Sequence, residues 1–271
     1  MLIYLATYPR CGAALLRDLI SINFGYLSAN GYDADGEFPE KWDVTPLEGE
    51  PDLQTYASRL NPGARELLLR HNALKRLTPE LRQKLSADPR LLFVKTHDLP
   101  PASPLPGEAA IQFVRHPGPA IVSYWRLEHR RKESLKLDDF IAGEIMFGSW
   151  TDYHRAWERA AMPVLRLRYE DVLADQVAAI KAIAHFLRIA PPAKPRPMPL
   201  SAATERNPSR NPGDGPDGWR QRTTLQQRRA IWRHHGKLAY GYGYTPFPGR
   251  RAVKASYLAP TAFEEIGIGA R

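Results

Sequence analysis

Cysteine is nearly absent from these 271 residues, Cys11 being the sole one. No intrachain disulfide can form, and no multi-cysteine metal site can be built. No metal is expected, because no His, Asp and Glu cluster has ligand spacing either. Long apolar runs are also missing. The opening MLIYLA meets Pro9 and Arg10 within a few residues, too short for a signal peptide or a membrane anchor. The expectation is a soluble, cytoplasmic chain with no membrane partner. Acidic residues are in deficit: 29 Asp and Glu stand against 38 Lys and Arg, a formal charge of +9. Such a chain attracts anions without naming which, so nucleic acid, acidic polymer and phosphorylated nucleotide stay open. Much of the excess is interleaved with acids, as in YEDVLADQ and LDDFIAGE, the pattern of a solvated surface.

What is present is strand-forming and helix-forming sequence in alternation. LIYLAT (2–7), LLFVKT (91–96), AAIQFVR (109–115), VLRLRY (164–169) and, more weakly, INFGYL (22–27) read as short buried strands. GAALLRDLISI, GPAIVSYWRLEHRRK and DVLADQVAAIKAIAHFL read as the helices that follow three of them. Strand, turn and helix repeated in this way predict an α/β domain with a mainly parallel sheet covered on both faces. PGARELLLRHNALKRL and TPELRQKLSA add two helices, the second with Thr78 as N-cap and Pro79 at its first position. Residues 190–218 hold eight prolines and no periodicity, which reads as a lid or binding loop. The chain from 246 to 271 reads as a tail.

Chemistry concentrates where strands end. YPRCGAALLRD (8–18) lies at the carboxyl end of the first strand, where open parallel sheets carry their sites. Arg10 is a fixed cation there, and Gly12 opens a helix whose first amides suit phosphate or sulfate. This turn has neither the G-x-x-x-x-G-K-[ST] of a phosphate loop nor the G-x-G-x-x-G of a dinucleotide site. Cys11 and Arg17 do satisfy the C-x5-R spacing of Cys-dependent phosphatases. Against that reading, the interval GAALL is helix-forming and Asp18 would repel phosphate. A small buried filler is the plainer role for Cys11.

Three further stretches end at the same edge. LLFVKTHDLP places Lys95 and His97 on one side of the backbone, and a cation beside a histidine favours the neutral, basic ring. QFVRHPGPAIVSYW ends a strand at Arg115 and carries Ser123 into the next helix, a pair suited to an anion. VLRLRYEDVLAD ends a strand at Tyr169. Trp150, His154 and Trp157 share one helical face at i, i+4 and i+7, which reads as core packing.

Taken in order, YPRCGAALLR, KTH, FVRHPGPAIVSYW, GSWTDYHRAW, LRYEDVLAD and GPDGWRQRTT resemble the sulfotransferase family that uses 3′-phosphoadenosine 5′-phosphosulfate (PAPS). The resemblance runs from residue 4 to about 244. It implies one sulfotransferase domain over 1–245 with a P-loop-NTPase-like fold, in which 28–90 and 190–218 shape the acceptor pocket or a lid. It implies His97 as general base, with Lys95 and Arg10 beside it. Arg10, Cys11, Gly12, Ala13, Ala14 and Leu15 would hold the 5′-phosphosulfate. Arg115 and Ser123 would grip the 3′-phosphate, Tyr169 would lie near the adenine, and Arg210 (or Arg206) with Gly218 would close over the nucleotide.

The sequence departs from the family pattern at Cys11, Ala13 and Ala14, where the family offers hydroxyl or amide side chains. The late motif lacks an acid before Trp219, and no dimerisation motif is visible. The implied activity is sulfuryl transfer from PAPS to a hydroxyl or amine of a small-molecule acceptor, without metal or nucleic acid. The alternatives are a nucleotide-binding homologue with impaired catalysis and a Cys11-dependent phosphatase.

Overall fold

The structure is a computed structural model and describes residues 1–26, 28–30, 79–198 and 218–246. The helix expected at 62–77, Thr78, Arg206, Arg210, most of the proline-rich loop and the tail from 247 lie outside the described residues. Five parallel strands form one sheet: β1 (Leu2–Thr7), β2 (Ser28–Asn30), β3 (Leu92–Thr96), β4 (Glu108–Val114) and β5 (Val164–Arg168), in the order β2-β3-β1-β4-β5. Leu5 lies opposite Lys95 and Ile111, so β1 is central, and the strand order reverses around it. The expected parallel α/β architecture is present.

Both faces of the sheet are buried, which is why its strands read as unbroken apolar runs. Ile3, Leu5, Phe93, Ile111 and Phe113 pack against α1 (Ala13–Phe24) and α7 (Gln176–Leu187) through Leu16, Leu19, Ile20, Ile180 and Ile183. Tyr4, Ala6, Val94, Ala110 and Val114 face the other layer. That layer holds α3 (Pro117–His129), α4 (Leu137–Ala142), α5 (Trp150–Glu158) and α9 (Leu225–Gly241). Trp150, His154 and Trp157 are fully buried there, as their spacing predicted.

Two boundaries differ from expectation. The described part of INFGYL, residues 22–26, does not form a strand: α1 continues through Phe24 and stops at Gly25, whose φ of 73° lets its N–H bond to Ser21 O. The edge strand begins later, at Ser28. Helical packing of Ile20 against the sheet outweighs the β preference of the residues that follow it. The helix expected from Asp171 to Leu187 is two helices, α6 (Tyr169–Ala174) and α7, because the Asp175 side chain accepts from Ala178 N–H and caps a new start. The segment 190–198 is tied along α1 and α7. Asn23 pairs with the backbone of Arg196, and Gln176 with that of Met198.

The amino ends of the strands carry scaffold instead of chemistry. Glu108 is buried, and its carboxylate accepts from Arg82 of α2 (Pro79–Ala87) at 2.6 and 2.7 Å. It also accepts from Tyr4 Oη and Leu105 N–H, each at 2.8 Å. Burial alone would raise its pKa, yet these hydrogen bonds outweigh it and hold the carboxyl below its ordinary value.

Two neutral histidines sit in the core. His154 Nδ1 accepts from Gln112 Nε2 at 3.0 Å, and Arg166 donates to the other end of that amide. His235 donates from Nε2 to Ile141 O and accepts at Nδ1 from Thr151 Oγ1. Burial pushes their pKa values down to about 3 for His154 and about 4 for His235, where the hydrogen bond to Ile141 O works in the other direction. The unfolded chain therefore binds more protons below pH 6.5, and stability falls as pH drops from 6.5 towards those values. Each histidine should remove about 1.4 kcal/mol per pH unit in that window. Urea midpoints at pH 7, 6 and 5 check this; a flat profile would contradict neutral burial.

Candidate active site

The carboxyl ends of β1, β3, β4 and β5 bring the expected residues together. After β1 the chain turns at Arg10, itself at φ 66°, and Cys11 N–H bonds back to Tyr8 O. Gly12 then opens α1 at φ 102°. A Cβ there would lie 2.5 Å from the Tyr169 ring, so glycine is required both by conformation and by space. Among the described residues no side chain caps α1, and its first turn has no acid. Its opening amides at Ala13, Ala14 and Leu15 therefore carry the unneutralised positive end of the helix.

Cationic side chains flank this turn and the histidine after β3. Arg10 Nε donates to Ser123 Oγ on α3 at 3.0 Å. Arg115, just past β4, donates to Arg10 O at 2.9 Å and lies 4.6 Å from the centre of the Tyr169 ring. Ser123 thus meets Arg10 directly, and Arg115 meets the backbone of the turn. Lys95 is buried near the end of β3, where its charge reaches His97.

His97 follows β3. Its Nδ1 lies 2.5 Å from Thr7 O, and a carbonyl can only accept, so Nδ1 carries the proton. The ring is then the tautomer whose basic nitrogen is Nε2. Burial, then the charges of Lys95 and Arg10, hold its pKa well below the ordinary value of 6.5. The imidazole is neutral at pH 7 and ready to accept a proton.

Sequence reasoning missed the wall beside this ring. Phe147 packs edge-on against His97, with centroids 5.3 Å apart, and leans on Tyr124. It lies on the short connection from α4 to α5. Gly143 there, at φ 84°, lets the chain return onto Ser149, and Gly148 O accepts from Tyr8 Oη at 3.2 Å. Met146, next to Phe147 in sequence, and Leu99, two residues after His97, are both more than half exposed. Nothing in GEIMFGS indicates which strand end this connection meets.

The thiol reading is not supported by the geometry. Cys11 is fully buried, and burial outweighs Arg115 to push its pKa up to about 12. Arg17 is buried on α1 and donates to Ser28 Oγ and Ser28 O. Cys11 is the small core filler its surroundings suggested.

Gly218 and Trp219 begin α8 (Gly218–Gln221). The Trp219 ring fills the space where a Cβ on Gly118, in the first turn of α3, would sit. Among the described residues no group of three potential metal ligands occurs, and no helix is long and apolar enough to cross a membrane.

The turn after the central strand and the histidine after its neighbour thus lie at one edge of a parallel sheet. Residues 2–198 match the family model described as a sulfotransferase domain, and the chain belongs to that family. Mouse sulfotransferase 1B1 is 40% identical over 53 residues, 19% of this chain and 18% of that protein, so the match spans less than a fifth of either. The solved structure of mouse sulfotransferase SULT7A1 complexed with PAP has a TM-score of 0.50 at 16% identity, over 88% of this chain and 84% of that one. Retinol dehydratase in complex with androsterone and inactive cofactor PAP has a TM-score of 0.50 at 17% identity, over 92% and 83%. At these identities the structural likeness is one of fold.

Proposed function

We propose that this protein moves a sulfuryl group from PAPS to a hydroxyl or amine of a small, apolar acceptor. The observation that carries the reading is the His97 tautomer, fixed by Thr7 O, at the same sheet edge as a helix start with no side-chain cap and with Arg10 and Arg115 at its turn. The residues present fit the nucleotide. Backbone amides from Gly12 to Leu15 with Arg10 suit the 5′-phosphosulfate, Arg115 and Ser123 suit the 3′-phosphate, and Tyr169 suits the adenine. Both PAP-bound neighbours share this fold.

When bound, PAPS supplies a sulfuryl group carried on a nucleoside bisphosphate leaving group. His97 Nε2 would take the acceptor proton as the new oxygen–sulfur or nitrogen–sulfur bond forms and the bond from sulfur to the 5′-phosphate oxygen breaks, the bisphosphate leaving. Arg10, Lys95 and the positive end of α1 offset the negative charge left on the phosphate. Preorganised cations matter more where backbone amides replace the hydroxyls missing at Cys11, Ala13 and Ala14. Phe147, edge-on to His97, offers the acceptor an apolar contact instead of hydrogen bonds, favouring phenols and apolar alcohols over sugars. Substrate-sized anionic ligands are also drawn by the +9 charge.

Transfer of radiolabelled sulfate from PAPS to a panel of phenols, apolar alcohols and sugars tests the assignment. Labelled product with the apolar compounds is expected. Labelling of sugars alone would overturn the acceptor class. Nucleotide binding without transfer to any compound would favour the second reading, a homologue whose catalysis is impaired by the missing hydroxyls at Cys11, Ala13 and Ala14.

A further inference from the structure

Tyr244 and Thr245 lie well beyond residue 198, where the matched domain ends, yet both bond to the elements that carry the site. Glu170 is the junction. One carboxylate oxygen accepts from His116 N–H at 3.1 Å, and the other accepts from Tyr244 Oη at 2.6 Å. His116 Nε2 donates to Thr245 O at 3.1 Å, and its Nδ1 accepts from Gly118 N–H at 3.0 Å. Trp232 stacks on the His116 ring at 5.8 Å and 22°. The residues joined in this way are the immediate neighbours of the two side chains that meet at the turn. His116 follows Arg115, and Glu170 follows Tyr169.

We propose that Glu170 is a positioning residue for the nucleotide site, through which Tyr244 and the C-terminal segment complete that site. The proposal rests on the PAPS reading above. Its logic is geometric. Glu170 ties the backbone after β4 to the start of α6, which sets Arg115 over the Tyr169 ring and the ring against Gly12. Its charge works in the other direction. A carboxylate this close to an anion site opposes anion binding, and its effect is felt at Cys11, where it counters Arg115. Positioning and electrostatics therefore predict opposite outcomes for Glu170→Ala. Glutamine separates them further: it keeps an oxygen for His116 N–H and loses the charge, while Tyr244 Oη turns its hydrogen to Val114 O, 3.0 Å away.

The test is calorimetric titration of the full chain with adenosine 3′,5′-bisphosphate (PAP), together with kcat and KM for PAPS. Glu170→Ala is expected to weaken PAP binding about tenfold, one lost charged hydrogen bond in affinity, and to raise KM for PAPS with kcat little changed. Glu170→Gln should bind within about threefold of the unaltered chain, and Tyr244→Phe should lose about threefold. Equal or tighter PAP binding by Glu170→Ala would overturn the proposal, as would Glu170→Gln behaving like Glu170→Ala. If Glu170→Ala does not fold, unchanged affinity in Tyr244→Phe overturns it equally. Failure of the unaltered chain to bind PAP would instead remove the PAPS reading and the proposal with it.

Discussion

His97→Ala is expected to lower sulfuryl transfer about 1,000-fold while PAP binds as before. A positioned general base supplies roughly 10²–10⁴ in rate, and here the positioning is tight: Nδ1–H is committed to Thr7 O. The groups proposed to hold the phosphates are joined to one another through Arg10, whose Nε donates to Ser123 Oγ and whose carbonyl accepts from Arg115. Loss should therefore appear in kcat and leave the PAP dissociation constant within a few-fold. The pH dependence carries the same signature. Burial and the charges of Lys95 and Arg10 hold the His97 pKa well below 6.5, so the base stays neutral and active as pH falls past 6.5. The acid limb of kcat/KM should lie below that value. A limb at 6.5 or above, or full activity in His97→Ala, would remove His97 from the chemistry.

Gly12→Ala should abolish nucleotide binding. A methyl group at this position lands 2.5 Å from the Tyr169 ring and 3.2 Å from Phe113, on a backbone at φ 102°. The left-handed conformation alone costs a non-glycine residue about 1–3 kcal/mol. The ring must then move, and it is the ring on which Arg115 rests. Alternatively the turn relaxes and rotates the amides of α1 away from their common centre. Either response damages the anion site, and a loss of PAP affinity of about 100-fold or more is expected, from roughly 3 kcal/mol of strain. Circular dichroism should still report a folded chain, because the new methyl presses on Phe113 near the end of β4 and leaves the bulk of the two apolar layers in place. Tight PAP binding by a folded Gly12→Ala chain would show that the turn is not the cradle.

Most of the scaffold was legible because buried parallel strands and amphipathic helices have simple periods. LIYLAT reads as β1 residue for residue, and the K-x-H stretch of LLFVKTHD places Lys95 and His97 at a strand end without any knowledge of neighbours. The errors were local competitions. At INFGYL, β-forming residues continue a helix because that helix has already docked on the sheet. At Asp175, a capping carboxylate divides what looked like one helix. The site was legible to the extent that its residues sit at strand ends, which is where a parallel sheet gathers chemistry. Its wiring was not. Ser123 meets Arg10 instead of Arg115, Phe147 arrives beside His97 from 50 residues away, and Tyr244 reaches Glu170 from 74 residues away. No local pattern encodes such pairings, because they depend on which helix layer covers which strand end.

The central claim is that the turn from Arg10 to Leu15, with Arg115 and Ser123, recognises a nucleotide bearing phosphate at both 3′ and 5′ positions. The most direct measurement is the thermal midpoint of the full chain with PAP, and with adenosine 5′-monophosphate as control. At about 100 times its dissociation constant, PAP should add roughly 2.7 kcal/mol and raise the midpoint by several degrees, with little change from the monophosphate. No shift with saturating PAP, or equal shifts with both nucleotides, would contradict the account.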